Sequence, residues 1–342
     1  MISVLIVDDS VLVRKVLNQF FKEDPRFEVV GEADNGLRAI VENRRLSPDL
    51  IIMDINMPVM NGIEATAQIM EASSPAIIVF STEDSADIMY KCLEAGALDI
   101  IQKPNIANMN ASILKAFYDR VYIIANKHKL EKKKEQTSRE FSTQSIAHFH
   151  HNKYSILIIG ASTGGPAAIQ AVLSKLKKDF PLPILITQHI DSFFDEQFTK
   201  WLNDTTDLEV ELAKTGTVPQ KGHAYIAPAN KHLVIRHSHD KITLVLDDGE
   251  PVHFLKPAVD KMFLSVAEAY REKTLAVILT GMGKDGAKGC IAVKEAGGFT
   301  IAEDEESCVV FGMPKAAIDE GGVNTVLPLD KIAGFIESVL GK

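Results

Sequence analysis

Ile156-Leu157-Ile158-Ile159-Gly160-Ala161-Ser162-Thr163-Gly164-Gly165-Pro166 is an apolar run that ends in a turn of small residues and opens into a helical pattern over Pro166–Lys177. Strand, tight turn and helix in succession form the repeating unit of an open parallel α/β sheet. The run has no polar alternation, as expected for a strand covered on both faces. Toward the C-terminus, Ile184–Gln188, Gly222–Ala227, Leu233–Arg236, Thr243–Leu246, Leu275–Thr280 and Phe299–Ala302 read as further strands. Ile235–Leu246 has the pattern of a hairpin with a polar turn at Ser238-His239-Asp240. Residues 153–342 are therefore expected to form a doubly wound α/β domain with an antiparallel insertion.

Toward the N-terminus, the short apolar runs Val4–Val7, Val29–Val30, Leu50–Met53, Ile77–Phe80 and Asp99–Ile101 alternate with stretches of helical spacing such as Val11–Phe21 and Gly62–Ala72. This predicts a five-stranded, doubly wound parallel domain over residues 1–122. Lys127–Glu140 consists almost wholly of Lys, Glu, Gln, Ser and Thr. Such a segment cannot bury enough apolar surface to fold by itself, so 123–152 reads as a charged linker after the last helix. Its His148, His150 and His151 have no acidic or cysteine partner at ligand spacing, which favours a solvated stretch over a metal site. The two halves share an architecture without a fixed-period repeat.

The whole chain has 342 residues, 46% of them hydrophobic and 24% charged, which suffices for two cores. A net charge of -9 argues against a nucleic-acid binder, whose phosphate contacts need a basic face. Membrane insertion is not expected, because no apolar run approaches the roughly 20 residues of a membrane span. The start Met1-Ile2-Ser3-Val4-Leu5-Ile6-Val7-Asp8-Asp9 lacks the basic lead of a signal peptide. Cys92, Cys290 and Cys308 are widely spaced, which fits a reducing cytoplasm and argues against a disulfide or zinc framework. Cys308 has no histidine near it in sequence and reads as a small buried apolar residue.

The chemistry is concentrated at strand ends. Asp8 and Asp9 end the first strand, Asp54 the third, and Ser81 and Lys103 follow the fourth and fifth. In an open parallel sheet the carboxyl ends of the strands border the ligand crevice. Adjacent carboxylates there call for a cation, and magnesium suits oxygen ligands shared with phosphate. Asp54 could attack a phosphoryl donor, with Lys103 and Ser81 holding the phosphoryl oxygens. In the second half, Ser162, His189 and Asp285 each lie just beyond a strand, in the order nucleophile, base, orienting carboxylate. Gly160–Gly164 formally matches the G-x-S-x-G elbow, but that motif carries its acid before its histidine. A dinucleotide loop would need glycine where Ser162 stands.

The motifs Val7-Asp8-Asp9-Ser10, Asp54-Ile55-Asn56-Met57-Pro58-Val59-Met60-Asn61-Gly62 and Gly96–Pro104 resemble a response-regulator receiver domain. The resemblance implies phosphorylation of Asp54 by a histidine kinase. It also implies Mg2+ held by Asp9, Asp54 and the carbonyl of Asn56, with Asp8 acting through water. Residues 154–340 resemble the catalytic domain of the chemotaxis protein-glutamate methylesterases. The resemblance rests on Gly160–Pro166, Gln188-His189, Gly222–Pro228, Leu279–Ala287 and Glu306–Pro314. It implies a phosphorylation-controlled serine hydrolase that demethylates glutamate methyl esters, and deamidates glutamines, on methyl-accepting chemotaxis receptors. Ser162, His189 and Asp285 would be catalytic, Thr163 and the Met282 backbone would lie near the oxyanion, and the hydrolase would need no cofactor. The competing readings are a response regulator whose output domain binds DNA or a nucleotide, and a catalytically idle scaffold.

Overall fold

A computed structural model describes residues 1–73, 75–82, 86–103, 111–134, 153–190, 194–238 and 241–341. The chain divides into two compact units, Met1–Glu140 and Phe141–Lys342.

The first unit runs β1 (Ile2–Val7), α1 (Val11–Glu23), β2 (Phe27–Ala33), α2 (Gly36–Leu46), β3 (Leu50–Met53), α3 (Gly62–Ala72), β4 (Ala76–Ser81), α4 (Ala86–Glu94), β5 (Asp99–Gln102) and α5 (Ala111–Lys134). Its five strands are parallel in the order β2-β1-β3-β4-β5. Every residue of β3 and β4 is buried, which is why those strands read as unbroken apolar runs. The chain reverses direction across the sheet between β1 and β3, the place where such sheets open a ligand crevice. Helix α5 continues through 123–134, so the first part of the expected linker is helical. The reason is twofold: Ile124 and Ala125 are buried, and the Lys, Glu and Leu residues that follow are good helix formers. Lys129 Nζ also donates to Met1 O and Asp49 Oδ2, at 3.0 and 2.7 Å. The remaining linker positions, with His148, His150 and His151, lie outside the described residues.

The second unit contains β6 (Ile156–Ala161), α6 (Gly165–Leu173), β7 (Ile184–Gln188), α7 (Asp195–Thr205), β8 (Glu209–Leu212), β9 (His223–Ile226), β10 (His232–Ser238), β11 (Lys241–Asp247), α8 (Val259–Tyr270), β12 (Thr274–Ile278), α9 (Ala287–Glu295), β13 (Phe299–Glu303), α10 (Met313–Asp319), β14 (Thr325–Leu327) and α11 (Leu329–Val339). Seven parallel strands lie in the order β14-β13-β12-β6-β7-β9-β8. The antiparallel insertion is the separate pair β10–β11, in register from His232↔Asp247 to Ser238↔Lys241; its turn residues His239 and Asp240 are outside the described set. The central strands β6 and β12 are buried along their whole length. Val259, Met262, Phe263 and Val266 of α8 pack with Ile158 and Ile278 in the main core cluster. The direction of winding changes between β6 and β12, which again marks one crevice. Cys92, Cys290 and Cys308 are buried. No helix among the described residues is long and apolar enough to cross a membrane.

Candidate active site and phosphate switch

In the first unit, parallel register sets the rim. Val7 pairs with Met53, and the Asp54 amide donates to Val7 O at 2.8 Å, so Asp8 and Asp54 leave adjacent strands side by side. On the other flank, Ser81 is the last residue of β4, not a residue beyond it, and it pairs with Gln102; the Lys103 amide then donates to Ser81 O at 2.8 Å. Lys103 Nζ reaches back to Asp8 Oδ2 at 2.6 Å and Asp54 Oδ2 at 2.9 Å. Arg14 fixes the loop after β1 by donating to Asp8 O and Asp9 O. Asn56 is exposed two residues beyond Asp54.

Carboxylate oxygens of Asp8, Asp9 and Asp54 lie within 4.8 Å of one another, with Asp8 and Asp54 buried and Asp9 exposed. Burial pushes the Asp54 carboxyl above the usual carboxylate range, the charge on Asp8 adds to this, and Lys103 opposes it without cancelling it. This donor set, made wholly of hard oxygens and short of positive charge, fits a divalent cation such as Mg2+. Gly62, the first residue of α3, lies against the same site: a methyl group there would come within 2.0 Å of Asp54 O. Gly62→Ala should therefore destabilise the unit by roughly 2 kcal/mol or more and displace Asp54. A denaturant melt combined with a phosphorylation assay checks both; a variant with normal stability and normal phosphorylation would refute this account.

In the second unit the same logic assembles a different rim. Ala161 at the end of β6 pairs with Gln188 at the end of β7, and the His189 amide donates to Ala161 O at 3.1 Å. Ser162 and His189 therefore leave neighbouring strands together. From the other side, the Ser162 amide donates to Thr280 O at 3.0 Å. Gly281 sits so close that a methyl group on it would reach 2.7 Å from Ser162 Cβ, which brings Met282 beside Ser162. Thr163 is buried, and its carbonyl accepts the Thr280 hydroxyl at 2.9 Å.

His189 Nε2 lies 2.7 Å from Asp285 Oδ2. Asp285 is wholly buried and also accepts two amides at the start of α8, Val259 N at 2.7 Å and Asp260 N at 2.9 Å. Burial acts to raise its carboxyl, but the His189 contact and the two amides outweigh it and hold the group below the usual carboxylate range. Asp285 is thus an ionised acceptor, and Nε2 of His189 must carry the shared hydrogen. The neutral ring then presents a lone pair at Nδ1, which is buried and has no hydrogen-bond partner among the described residues. The Ser162 hydroxyl is not bonded to it in this state. Catalytic hydrogen bonds of this kind are commonly open before substrate arrives.

Two residues that sequence reasoning did not single out hold this arrangement. The Gln188 side-chain amide donates to both Ser162 O and His189 O at 2.9 Å, tying the two turns together. Gly165 leaves room for it, since a methyl group there would lie 2.0 Å from Gln188 Oε1. Asp260 is the second. Its Oδ1 accepts Gly286 N and Gly289 N at 3.0 and 2.8 Å, capping α9, while Asp285 from the turn before α9 caps α8. Each aspartate therefore satisfies the helix that the other one begins. Burial and the neighbouring Asp285 charge raise the Asp260 carboxyl. Gln188 stood next to a chosen histidine and could have been noticed there; Asp260 had no sequence signal beyond its place in the first turn of a helix.

A parallel unit with an aspartate–lysine rim, followed by a parallel unit with a serine–histidine–aspartate rim, fits a response regulator whose output domain is a hydrolase. Comparison with known proteins agrees. Residues 4–114 match the response regulator receiver domain, and residues 157–336 match the CheB methylesterase domain. A protein-glutamate methylesterase/protein-glutamine glutaminase of Thermotoga maritima is 39% identical over 97% of this chain and 96% of its own length. One from Vibrio vulnificus is 37% identical over 99% and 98%. The crystal structure of the Thermotoga maritima CheB methylesterase catalytic domain covers 55% of this chain and 97% of its own, at 43% identity and a TM-score of 0.53. The chain belongs to the CheB methylesterase family, with a receiver domain ahead of the methylesterase domain.

Proposed function

We propose that this chain hydrolyses glutamate methyl esters, and deamidates glutamines, on chemotaxis receptors under control of phosphorylation at Asp54. The names of its relatives supply the substrate class. The observation that carries the chemistry is the unpartnered Nδ1 of His189, aimed from a ring whose other nitrogen is fixed by an ionised Asp285. Nδ1 takes the Ser162 proton as Oγ attacks the ester or amide carbonyl carbon. The developing oxyanion is held by backbone donors at Thr163 and Met282. His189 then returns the proton to the leaving methoxide or amine, and water hydrolyses the acyl-serine by the same route in reverse. The imidazole works here in the opposite sense to the more familiar triad, with Nε2 toward the acid.

In the receiver, the Asp54 carboxylate attacks the phosphorus of a phosphohistidine donor on a histidine kinase. A divalent cation held by Asp9, Asp54 and the Asn56 carbonyl, with Asp8 through water, would neutralise the phosphoryl oxygens. Lys103, already on Asp54, exchanges that carboxylate for a phosphoryl oxygen, and Ser81 donates to another. The receiver is read over 1–122 and the catalytic domain over 153–342. Methanol release from methylated receptor, with and without a small phosphodonor, tests the whole reading. Stimulation by the donor should vanish in Asp54→Asn while basal release persists. Stimulation that survives in Asp54→Asn would reject Asp54 as the acceptor.

A further inference from the structure

The loop between β11 and α8 carries a feature that neither the triad nor the core explains. Val252 and Leu255 exchange backbone hydrogen bonds at 3.0 and 2.9 Å, closing a two-residue turn made of His253 and Phe254. Both turn residues have positive φ, 52° and 66°. That is the backbone of a type I′ turn, which asparagine and glycine adopt readily and residues with bulky side chains do not. Phe254 gains no burial in exchange: it is fully exposed, at 102%. An unfavourable backbone that displays an aromatic ring to solvent points to function outside the fold itself.

The loop is rigidly tied down. The buried His232 accepts the Ala258 amide at Nδ1, so its Nε2–H donates to Glu250 O at 3.1 Å, clamping both ends of the segment. Asn230 N donates to Lys256 O, and Lys256 Nζ reaches back to Asp248 O. The tip lies beside residues of the active site as well. His253 Nε2 lies 3.7 Å from Asp260 Oδ2, an oxygen with no hydrogen-bond partner among the described residues, and the Asp260 amide is bound by Asp285. Met282, also exposed, follows the Gly281 that lies against Ser162.

We propose that the Val252–Leu255 turn is the element that recognises the protein substrate, with Phe254 seating against an apolar patch on the folded chain that carries the esterified glutamate. The proposal rests on the hydrolase reading above. Its partner follows from position: whatever presents a glutamyl ester to Ser162 meets the turn that lies beside Asp260, whose amide Asp285 holds. A preformed, exposed aromatic ring is the side chain best suited to bind such a patch with little ordering cost. A small ester that reaches only Ser162 would not touch it.

The test uses the full chain with a small phosphodonor and two substrates, methylated receptor and a small activated ester. A first control shows that Ser162→Ala loses turnover of both. Phe254→Ala and Phe254→Asn should then lower kcat/KM on receptor roughly ten- to a hundredfold, chiefly through KM, while hydrolysis of the small ester stays at the wild-type rate. Phe254→Asn, which accepts positive φ, should melt at or above the wild-type temperature. Phe254→Leu should fall between. Equal losses on both substrates would show a structural role and overturn the proposal, as would no loss on either. A rise in basal activity with an unchanged phosphorylated rate would assign Phe254 to control by the receiver and also overturn it. Failure of the Ser162 control rejects the hydrolase reading itself, a result separate from any Phe254 outcome.

Discussion

Ser162→Ala is expected to cut methanol release from methylated receptor by about ten-thousand- to millionfold, with the melting temperature unchanged. The two halves of that result have different origins. The hydroxyl is the only group proposed to form a covalent bond to the substrate, and an alanine leaves the His189 lone pair nothing to activate. The fold should not notice, because the Ser162 side chain makes no hydrogen bond among the described residues and its backbone contacts, to Thr280 O, Gly165 N and the Gln188 amide, involve no side-chain atom of its own. The phosphodonor should not rescue the variant. Release above a tenth of the wild-type rate would remove Ser162 from the nucleophile's place.

Asp285→Asn should be nearly as damaging to turnover, by about ten-thousandfold, and unlike Ser162→Ala it should also destabilise the protein. An amide in place of the carboxylate has one acceptor where three donors now converge: His189 Nε2, Val259 N and Asp260 N. Either the ring takes the wrong tautomer or an α8 amide is left buried without a partner, at a cost of about 1–3 kcal/mol. The pH dependence follows from the lowered carboxyl. A depressed acid stabilises the fold fully above its unfolded value, about pH 4, and that contribution is lost as pH falls through the folded value. The gap in stability between wild type and Asp285→Asn should therefore be constant from neutral pH to about pH 5 and close under stronger acid. Parallel urea titrations at several pH values measure it. A gap that widens on acidification would mean the carboxyl is not ionised in the fold.

The sequence made the strand ends legible because the most buried strands are also the most apolar. β1, β3, β6 and β12 stand out as runs, and the residues after them, Asp8, Asp54, Ser162 and the turn to Asp285, follow directly. Register between parallel neighbours then accounts for Asp8 beside Asp54 and Ser162 beside His189. Edge strands were harder to see. β8 and β14 are short, with few fully buried positions, so Glu209–Leu212 and Thr325–Leu327 carry no strong alternation. Helix α5 outran its apolar pattern because charged residues propagate a helix on propensity alone. The sense of the His189 ring, the Gln188 tie and the role of Asp260 were not legible at all. Each depends on where a side chain meets backbone donors distant in sequence, and no spacing rule records that.

The crossed capping of Asp260 and Asp285 bears on how such a domain can decay. A lineage that kept this output domain only as a docking platform could shed Ser162 with little effect on folding, since that hydroxyl makes no hydrogen bond among the described residues. It could not shed Asp285 so easily, because the start of α8 would lose its cap along with the chemistry. Among inactive descendants of this architecture, the nucleophile should be the first of the three to vanish and the acid the last, so an intact aspartate at that turn is poor testimony that a relative still turns over substrate.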